Sequence, residues 1–377
     1  IALYRIDVQN HIQLPPNRTD AHMFGFTNQG SLFPMIGIDF GSQTIKAVVI
    51  SGKPGRFQID ACIEVLTPKG SLVDYQMQDV EKISQSVKQL VKLLPTRLRF
   101  AATAVSGSNV ITKVTQVDNK MTEGELESHI EMEAEQLIPF PLDEISLDFE
   151  VLGPNLSDPT RNDVLVSAAR TDSITSRVTT LQDSGLQVKV VDVGLHALGR
   201  SIVALLPELV GDKAQAVCAL VDIGAVSLTF GVMVNGEIIY SRLQSFGGDN
   251  FTQSIASFYN LPQDEAERTK VQSRLPADAD MDVLAPYITL LVQQVRRNIQ
   301  LFCSSSGHRE VDMLILSGGG SLIPGLAEQL GMELQVEVKH PDPFSVSPKH
   351  RSEFVKHGAK YMTALGLALR SFVPCQI

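Results

Sequence analysis

The chain has 377 residues, 44% of them hydrophobic and 20% charged, with a formal net charge of -10 at pH 7. This is the make-up of a globular protein with room for two or more domains. The acidic balance excludes a general nucleic-acid binder, whose phosphate contacts require a basic surface. Four cysteines, Cys62, Cys218, Cys303 and Cys375, stand far apart with no CxxC pair. That spacing suits buried free thiols in a reducing compartment better than a metal site. No run of roughly eighteen apolar residues is present to span a membrane, and no signal-peptide pattern opens the chain. Residues 1–22 are polar, contain proline and lack a period, so they read as a disordered upstream extension, with Met23 the more natural start.

The first structured stretch is Ile36–Ile50, IGIDFGSQTIKAVVI. Ile36-Gly37-Ile38 lead into Asp39, Phe40 to Thr44 make a turn, and Ile45–Ile50 leave as a β-branched run. A turn rich in Gly, Ser and Thr can aim N–H groups and hydroxyls at an anion, and Gly41 permits close approach. Asp39 at the strand end suits a hydrated Mg²⁺ beside a phosphate. Taken alone, the same stretch is equally an ordinary β-hairpin.

Arg56–Thr67 is a third strand. Apolar residues at Val80, Ile83, Val87, Leu90, Val91 and Leu94 predict an amphipathic helix over Asp79–Leu94, stopped by Pro95. Leu98–Val105 is a short buried strand. The stretch from Ser106 to about Gly185 reads strand, helix, strand, strand, helix: an α+β module inserted into a larger fold. Thr122 with Glu125 forms a capping box opening its first helix. The acidic face of that helix (Glu123, Glu127, Glu131, Glu135) reads as solvated rather than catalytic. Gln187–Val193 is a strand leading into a helix over Leu195–Leu206.

A second hairpin then repeats the first. Ala216–Leu220 runs into Val221-Asp222-Ile223-Gly224-Ala225, an apolar strand follows, and Glu237–Leu243 supplies a third strand. Two such halves imply an internal duplication. Gly247-Gly248 precede the helix Phe251–Tyr259, placing N–H groups at its start. A charged helix, Pro262–Gln272, carries Glu267-Arg268-Thr269-Lys270, and a long helix covers Leu284–Cys303. The buried strand Met313–Leu316 ends in Ser317-Gly318-Gly319-Gly320, and Ala359–Ser371 is a closing helix.

Each glycine turn is a weak signal alone, but their order is specific. The set resembles the actin, heat-shock chaperone and sugar-kinase ATPase superfamily, an α/β actin-like ATPase fold whose two duplicated half-domains close on ATP. The inserted module is similar to that of the cell-division protein FtsA. Four segments narrow the resemblance to the type IV pilus assembly protein PilM family: Ile36–Lys46, Glu133–Glu144 (EAEQLIPFPLDE) with Asp148-Phe149, Leu220–Ala225, and Ala364–Ser371.

The resemblance implies a first subdomain at 35–105 and 186–215, an inserted subdomain at 106–185, and a second half at 216–377 with 241–305 as its smaller part. It places Asp39, Gly41, Ser42, Gln43, Thr44 and Lys46 on the phosphates of ATP or in support. Asp222, Gly224 and Ala225 face them, and Gly247, Gly248, Glu267, Lys270, Gly318, Gly319 and Gly320 complete the pocket. Asp39 and Asp222 reach Mg²⁺ through water. It further implies a cytoplasmic ATP-binding scaffold that captures the N-terminal peptide of the membrane protein PilN, works with other pilus assembly proteins, and self-associates.

Groove candidates for that peptide are Ser106, Asn109, Ile111, Ala169 and Arg170. For hydrolysis the polar candidates near Val191–His196 are Asp192 and His196, although Asp192 also suits a strand-end or helix-cap role. Ser371–Ile377 is too short for the amphipathic anchor of FtsA-like proteins, and Met23–Met35 has no Lys or Arg for anionic lipid. Membrane attachment through a protein partner is therefore the expected route. The competing readings are an FtsA-like division tether and a small-molecule kinase of the same superfamily.

Overall fold

The computed structural model describes residues 4–5, 32–108, 110–155, 157–210, 216–272, 280–345 and 355–373. The chain divides into two compact units, Ile1–Leu198 with Thr363–Ile377, and Gly199–Met362.

The first unit opens with β1 (Tyr4–Arg5), β2 (Ile36–Phe40), β3 (Thr44–Lys53), β4 (Arg56–Leu66) and a short hairpin, β5 (Leu72–Val73) and β6 (Gln76–Met77). Then come α1 (Val80–Leu93), β7 (Phe100–Val105), β8 (Val110–Asp118), α2 (Glu123–Leu137), β9 (Ile145–Pro154) and β10 (Arg161–Arg170). The unit continues through α3 (Thr171–Asp183), β11 (Gln187–Val193) and the start of α4 (Gly194–Val210). Its main sheet has the order β1-β11-β7-β2-β3-β4, and β8-β10-β9 form a separate three-stranded sheet. Tyr4 and Arg5 pair antiparallel with Val191 and Val190, so these two residues add a strand where the sequence reading expected disorder. Residues 6–22 lie outside the described residues.

Local chemistry sets the element ends. The Asp79 carboxylate accepts the Lys82 N–H at 3.0 Å and caps α1. Leu94, held extended by the following Pro95, ends it. The Thr122–Glu125 capping box forms as its sequence implies. One face of the main sheet is covered by α1, through Ile83, Val87 and Leu90, and by α3, through Ile174, Val178 and Leu181. The helix 171–183 thus packs on the first sheet and leads directly into β11, whereas the sequence reading assigned it to the inserted module. The module proper is β8, α2, β9 and β10, with a small core of Val117, Leu126, Ile130, Val164 and Val166.

The second unit contains the rest of α4, β12 (Cys218–Ile223), β13 (Leu228–Val234), β14 (Glu237–Gln244), α5 (Gly248–Tyr259), α6 (Gln263–Val271) and α7 (Ala285–Ser306). It ends with β15 (Met313–Ser317), α8 (Leu326–Leu334) and β16 (Glu337–Lys339). α4 runs on past Leu206 with Pro207 inside its last turn, where a missing N–H removes one helical bond without breaking the helix. Its end is capped by Lys339 Nζ, which donates to the Leu209 carbonyl at 2.5 Å. The five-stranded sheet has the order β14-β13-β12-β15-β16. Without β1, the first sheet has the same order: β4-β3-β2-β7-β11. The senses match too, with β2 and β12 antiparallel to the strand that follows and parallel to β7 and β15. The duplication expected from the two hairpins is therefore present strand for strand. The module sits after β7, at the place where the second unit carries Gly318–Gly320 after β15.

The last segment, with the closing helix Met362–Ala368, belongs to the first unit from Thr363 onward. The expected second half, 216–377, is corrected accordingly. Small residues are the reason: a Cβ on Gly37 would overlap the backbone of Ala364 and Ala368, and one on Gly366 would overlap the Ala197 carbonyl. Met35 N–H donates to Ser371 Oγ at 2.8 Å, and Met35, Ala102, Val190, Ala197 and Leu367 form the buried layer beneath. Gly366→Ala should cost about 3 kcal/mol in urea unfolding, because backbone on both sides must move. Gly124→Ala, in a helical position with nothing within 4 Å, should be neutral or stabilising by up to about 1 kcal/mol.

Candidate functional site

In the second unit the predicted residues converge on the end of β12. Gly224 N–H donates to the Ser227 carbonyl at 2.8 Å and closes the hairpin turn. The carbonyls of Gly224 and Ala225 then accept the N–H groups of Gly248 and Asp249, at 2.9 and 2.8 Å, and so start α5. A Cβ on Gly247 would overlap the Ala225 carbonyl, so only glycine lets this loop lie against the turn. The Asn250 side chain caps it by accepting the Gly247 N–H at 2.9 Å.

Lys270 reaches back from α6, donating from Nζ to the Gly248 carbonyl at 3.1 Å and to Thr252 Oγ1 at 2.7 Å. Glu267 pairs with Lys270 Nζ at 2.6 Å and accepts the Thr252 hydroxyl. Both ends of the Glu267–Lys270 motif therefore hold the glycine loop. On the other side of Asp222, Gly318 and Gly320 press on Ile223, where a Cβ on either would overlap it, and Gly318 has φ +84°. Ser317, 1% exposed, donates its hydroxyl to Asp222 Oδ1 at 2.7 Å. Thr252 and Ser317 are the members that sequence reasoning missed. Their signal was adjacency: Ser317 precedes the glycine triplet, and Thr252 lies one helical turn beyond Gly248.

In the first unit, Gly41 N–H donates to the Thr44 carbonyl at 3.1 Å, the same turn as at Gly224. The Gly41 carbonyl accepts Thr67 Oγ1 at 2.7 Å, and the Gln43 carbonyl accepts Thr67 N–H at 3.0 Å, tying the turn to the end of β4. Asp39 and Lys46 are direct cross-strand partners, with Lys46 Nζ 3.6 Å from Asp39 Oδ2. Ser42 and Gln43 form the outer part of this turn. The arrangement offers a hairpin with a carboxylate and an ammonium at its base, and glycine where the backbone must be approached.

Asp192, the hydrolysis candidate, is 0% exposed. Its Oδ2 accepts Arg370 Nε at 2.9 Å and its Oδ1 accepts the Val193 N–H at 2.8 Å. It is a buried ion pair joining β11 to the end of the closing segment, and it is not placed to meet water.

The groove candidates are divided. Ala169 is 1% exposed and belongs to the core of the main sheet, so its side chain has no free face. Ser106 packs against Gly194. Ile111 joins Ala134, Ile138, Phe140, Leu142 and Ala168 in a small cluster. Arg170 lies 5.4 Å over the Phe140 ring and pairs with Asp172 at 3.0 Å and Glu144 at 3.6 Å. The stretch Glu133–Glu144 is therefore a strap held across the base of β8 and β10. Asn109 lies outside the described residues.

Cys218 is buried on β12, and that burial pushes its thiol pKa up to about 11; it is protonated and inert at neutral pH. Among the described residues no group of three metal-ligating side chains occurs, and no helix is long and apolar enough to cross a membrane.

Comparison with known proteins places this architecture. A family model described as type IV pilus assembly protein PilM matches residues 37–372. The chain belongs to the PilM family. Among solved structures, a chain of a PilM–PilN type IV pilus biogenesis complex is 30% identical and superposes with a TM-score of 0.81. That match covers 91% of this chain and 100% of the other. The fold is the actin-like ATPase fold, shared at 15% identity and TM-score 0.55 with the ethanolamine utilization protein EutJ of Carboxydothermus hydrogenoformans, over 90% of this chain and 92% of that one. FtsA of Bacillus subtilis is 25% identical over 259 residues, 63% of this chain and 57% of FtsA. The chain thus spans a little over half the length of that relative.

Removing Arg370 leaves a buried, uncompensated carboxylate. Arg370→Met should therefore lower stability by about 3 kcal/mol or more, and Asp192→Asn in the same chain should restore much of it, read by thermal unfolding of the single and double variants.

Proposed function

We propose that this chain is an ATP-binding scaffold of the type IV pilus inner-membrane assembly machinery. It captures the cytoplasmic N-terminal peptide of a PilN partner and couples cytoplasmic to membrane components in pilus biogenesis and twitching motility. The observation that carries this reading is the family match over residues 37–372, together with full-length coverage of the matched chain from the PilM–PilN complex. It is a reading by kinship of site and fold.

For the nucleotide, the residues present fit the group. A metal-bound phosphate chain needs charged partners and turns it can approach closely; Asp39 and Lys46 stand together at the base of the first hairpin, and the turns themselves are packed tightly by glycines 41, 224, 247, 318 and 320, where a Cβ would crowd neighbouring protein atoms. In this proposal Asp39, Gly41, Ser42, Gln43, Thr44 and Lys46 serve the phosphates from the first unit. Asp222, Gly224, Ala225, Gly247, Gly248, Gly318, Gly319 and Gly320 serve the nucleotide from the second, with Glu267 and Lys270 bracing the loop. Bound Mg²⁺ would neutralise phosphate charge, and Asp39 and Asp222 would hold its water shell.

Turnover is slow or absent. The best polar residue for orienting water, Asp192, is committed to Arg370, and binding requires only the cradle. For the peptide, Arg170, Ile111 and the strap Glu133–Glu144 remain the working surface, with Ser106 and Asn109 at its start. Attachment to the membrane runs through the partner.

Asp222→Ala should abolish ATP binding in calorimetry while leaving the far-ultraviolet spectrum unchanged; unaltered affinity would remove the nucleotide assignment. A peptide from the PilN N-terminus should be retained by the immobilised chain in the presence of ATP. Loss of retention in Arg170→Ala is expected, and failure of the unmodified chain to hold the peptide would reopen the small-molecule kinase reading.

A further inference from the structure

The glycine triplet after β15 is held in place by a segment outside the nucleotide set. β16 runs parallel to β15, with Lys339 in register with Ile315, and His340 is the first residue beyond it. His340 Nε2 lies 2.9 Å from the Ser321 carbonyl oxygen. A carbonyl can only accept, so Nε2 carries the proton and donates. Ser321, 0% exposed, follows the triplet, and its hydroxyl and N–H both donate to the Gly318 carbonyl, at 2.7 and 3.3 Å. The bond from His340 therefore fastens the far end of the turn that carries Gly318, Gly319 and Gly320.

The near end is fastened from the same segment. Beyond His340 the chain reads Pro341-Asp342-Pro343-Phe344-Ser345, a turn that supports itself. The Asp342 carboxylate accepts the Phe344 N–H at 2.9 Å, and the Asp342 carbonyl accepts the Ser345 N–H and hydroxyl at 3.1 and 2.7 Å. The two prolines fix the backbone on either side of Asp342, and Phe344 is 0% exposed. Gly358 lies against this turn, where a Cβ would fall 2.6 Å from Pro343 Cδ. The next residue, Ala359, accepts the Gly318 N–H at 3.1 Å. Residues 340–344 thus hold the triplet at the carbonyl that follows it, directly, and at its first N–H, through Gly358 and Ala359. The triplet needs such holding, since Gly318 has φ +84° and both Gly318 and Gly320 press on Ile223.

We propose that His340 is a positioning residue for the nucleotide: its hydrogen bond to Ser321 fixes the glycine triplet in the conformation that receives ATP. The inference rests on the nucleotide reading above and adds to it a residue that acts through the loop. Because the imidazole is exposed, its removal takes little packing from the core, whereas the loop loses an outer fixed point. Position and fold are therefore separable at this residue. The geometry also says which side chains can replace it. A glutamine amide nitrogen stands as many bonds from Cβ as Nε2 does, while that of asparagine stops at the reach of Nδ1.

The test is calorimetry of the full chain with ATP and Mg²⁺, alongside thermal unfolding without nucleotide. His340→Leu and His340→Asn should each weaken ATP binding roughly three- to tenfold, the worth of one hydrogen bond. His340→Gln restores the donor and should bind within about twofold of the unmodified chain. All three variants should unfold within about 2 °C of it, as changes at an exposed side chain do. Affinity lost with Leu and Asn and regained with Gln, at a constant melting temperature, is a pattern that a merely structural role does not produce. Full affinity in His340→Leu and His340→Asn overturns the inference. So does His340→Gln binding as weakly as they do, or affinity that falls only in step with the melting temperature. Should His340→Leu not fold, the comparison of His340→Asn with His340→Gln decides alone. An unmodified chain that binds no ATP overturns the nucleotide reading and this inference with it, a failure distinct from one seen only among the variants.

Discussion

One backbone hydrogen bond, made twice, organises both units. At the end of β2 and again at the end of β12, a glycine two residues past an aspartate donates its N–H to the carbonyl three residues on. The bond folds the strand back on itself and frees the carbonyls of the turn for other use. In the first unit those carbonyls take the hydroxyl and N–H of Thr67 and so end β4. In the second they take the N–H groups of Gly248 and Asp249 and so begin α5. The same turn closes one element and opens another, and the aspartate beside it is fixed in either case.

Around that shared turn the halves have diverged in how they treat the carboxylate. Asp39 faces Lys46 across the hairpin, its carboxylate 3.6 Å from the ammonium. Asp222 lies in register with Ser317 and receives its hydroxyl. In the first sheet the parallel ladder beside β2 extends to Ile38 and Thr103, whose hydroxyl donates to the Ile38 carbonyl at 2.8 Å instead. One copy thus sets its carboxylate beside an ammonium and the other gives it the hydroxyl of a neutral donor. Duplication preserved the geometry and changed the electrostatics.

The strands and helices were legible because their patterns are local. Ile83, Val87 and Leu90 recur at helical spacing, and Asp79 and Thr122 are caps whose partners lie three residues away. The glycine turns of the second unit were legible through their order. What sequence could not supply was long-range partnership. Asp192 looked available because Arg370, its counter-ion, lies 178 residues on. Ala169 sat beside a plausible surface but packs into the core of another sheet. The helix 171–183 has an apolar stripe, yet a stripe does not say which sheet it will cover. The burial of Arg177 on α3, 1% exposed, gave no signal at all, since an arginine on a helix is ordinarily exposed. β16, three residues long, is too short for a period to be read.

The closing segment bears on the order of events during synthesis. Gly37, Met35 and Asp192 are made early, but the backbone, hydroxyl and guanidinium that complete them come from Ala364–Ser371. The Met35–Ser371 contact spans 336 residues. On a ribosome moving at about 5–20 residues per second, the first sheet therefore waits on the order of half a minute with one face uncovered. The second unit, whose chain is continuous from Gly199 to Met362, has all its strands before that wait is over. The half that is translated first is thus the half that is finished last, and its exposed sheet face is a natural client for chaperones until the final helix arrives.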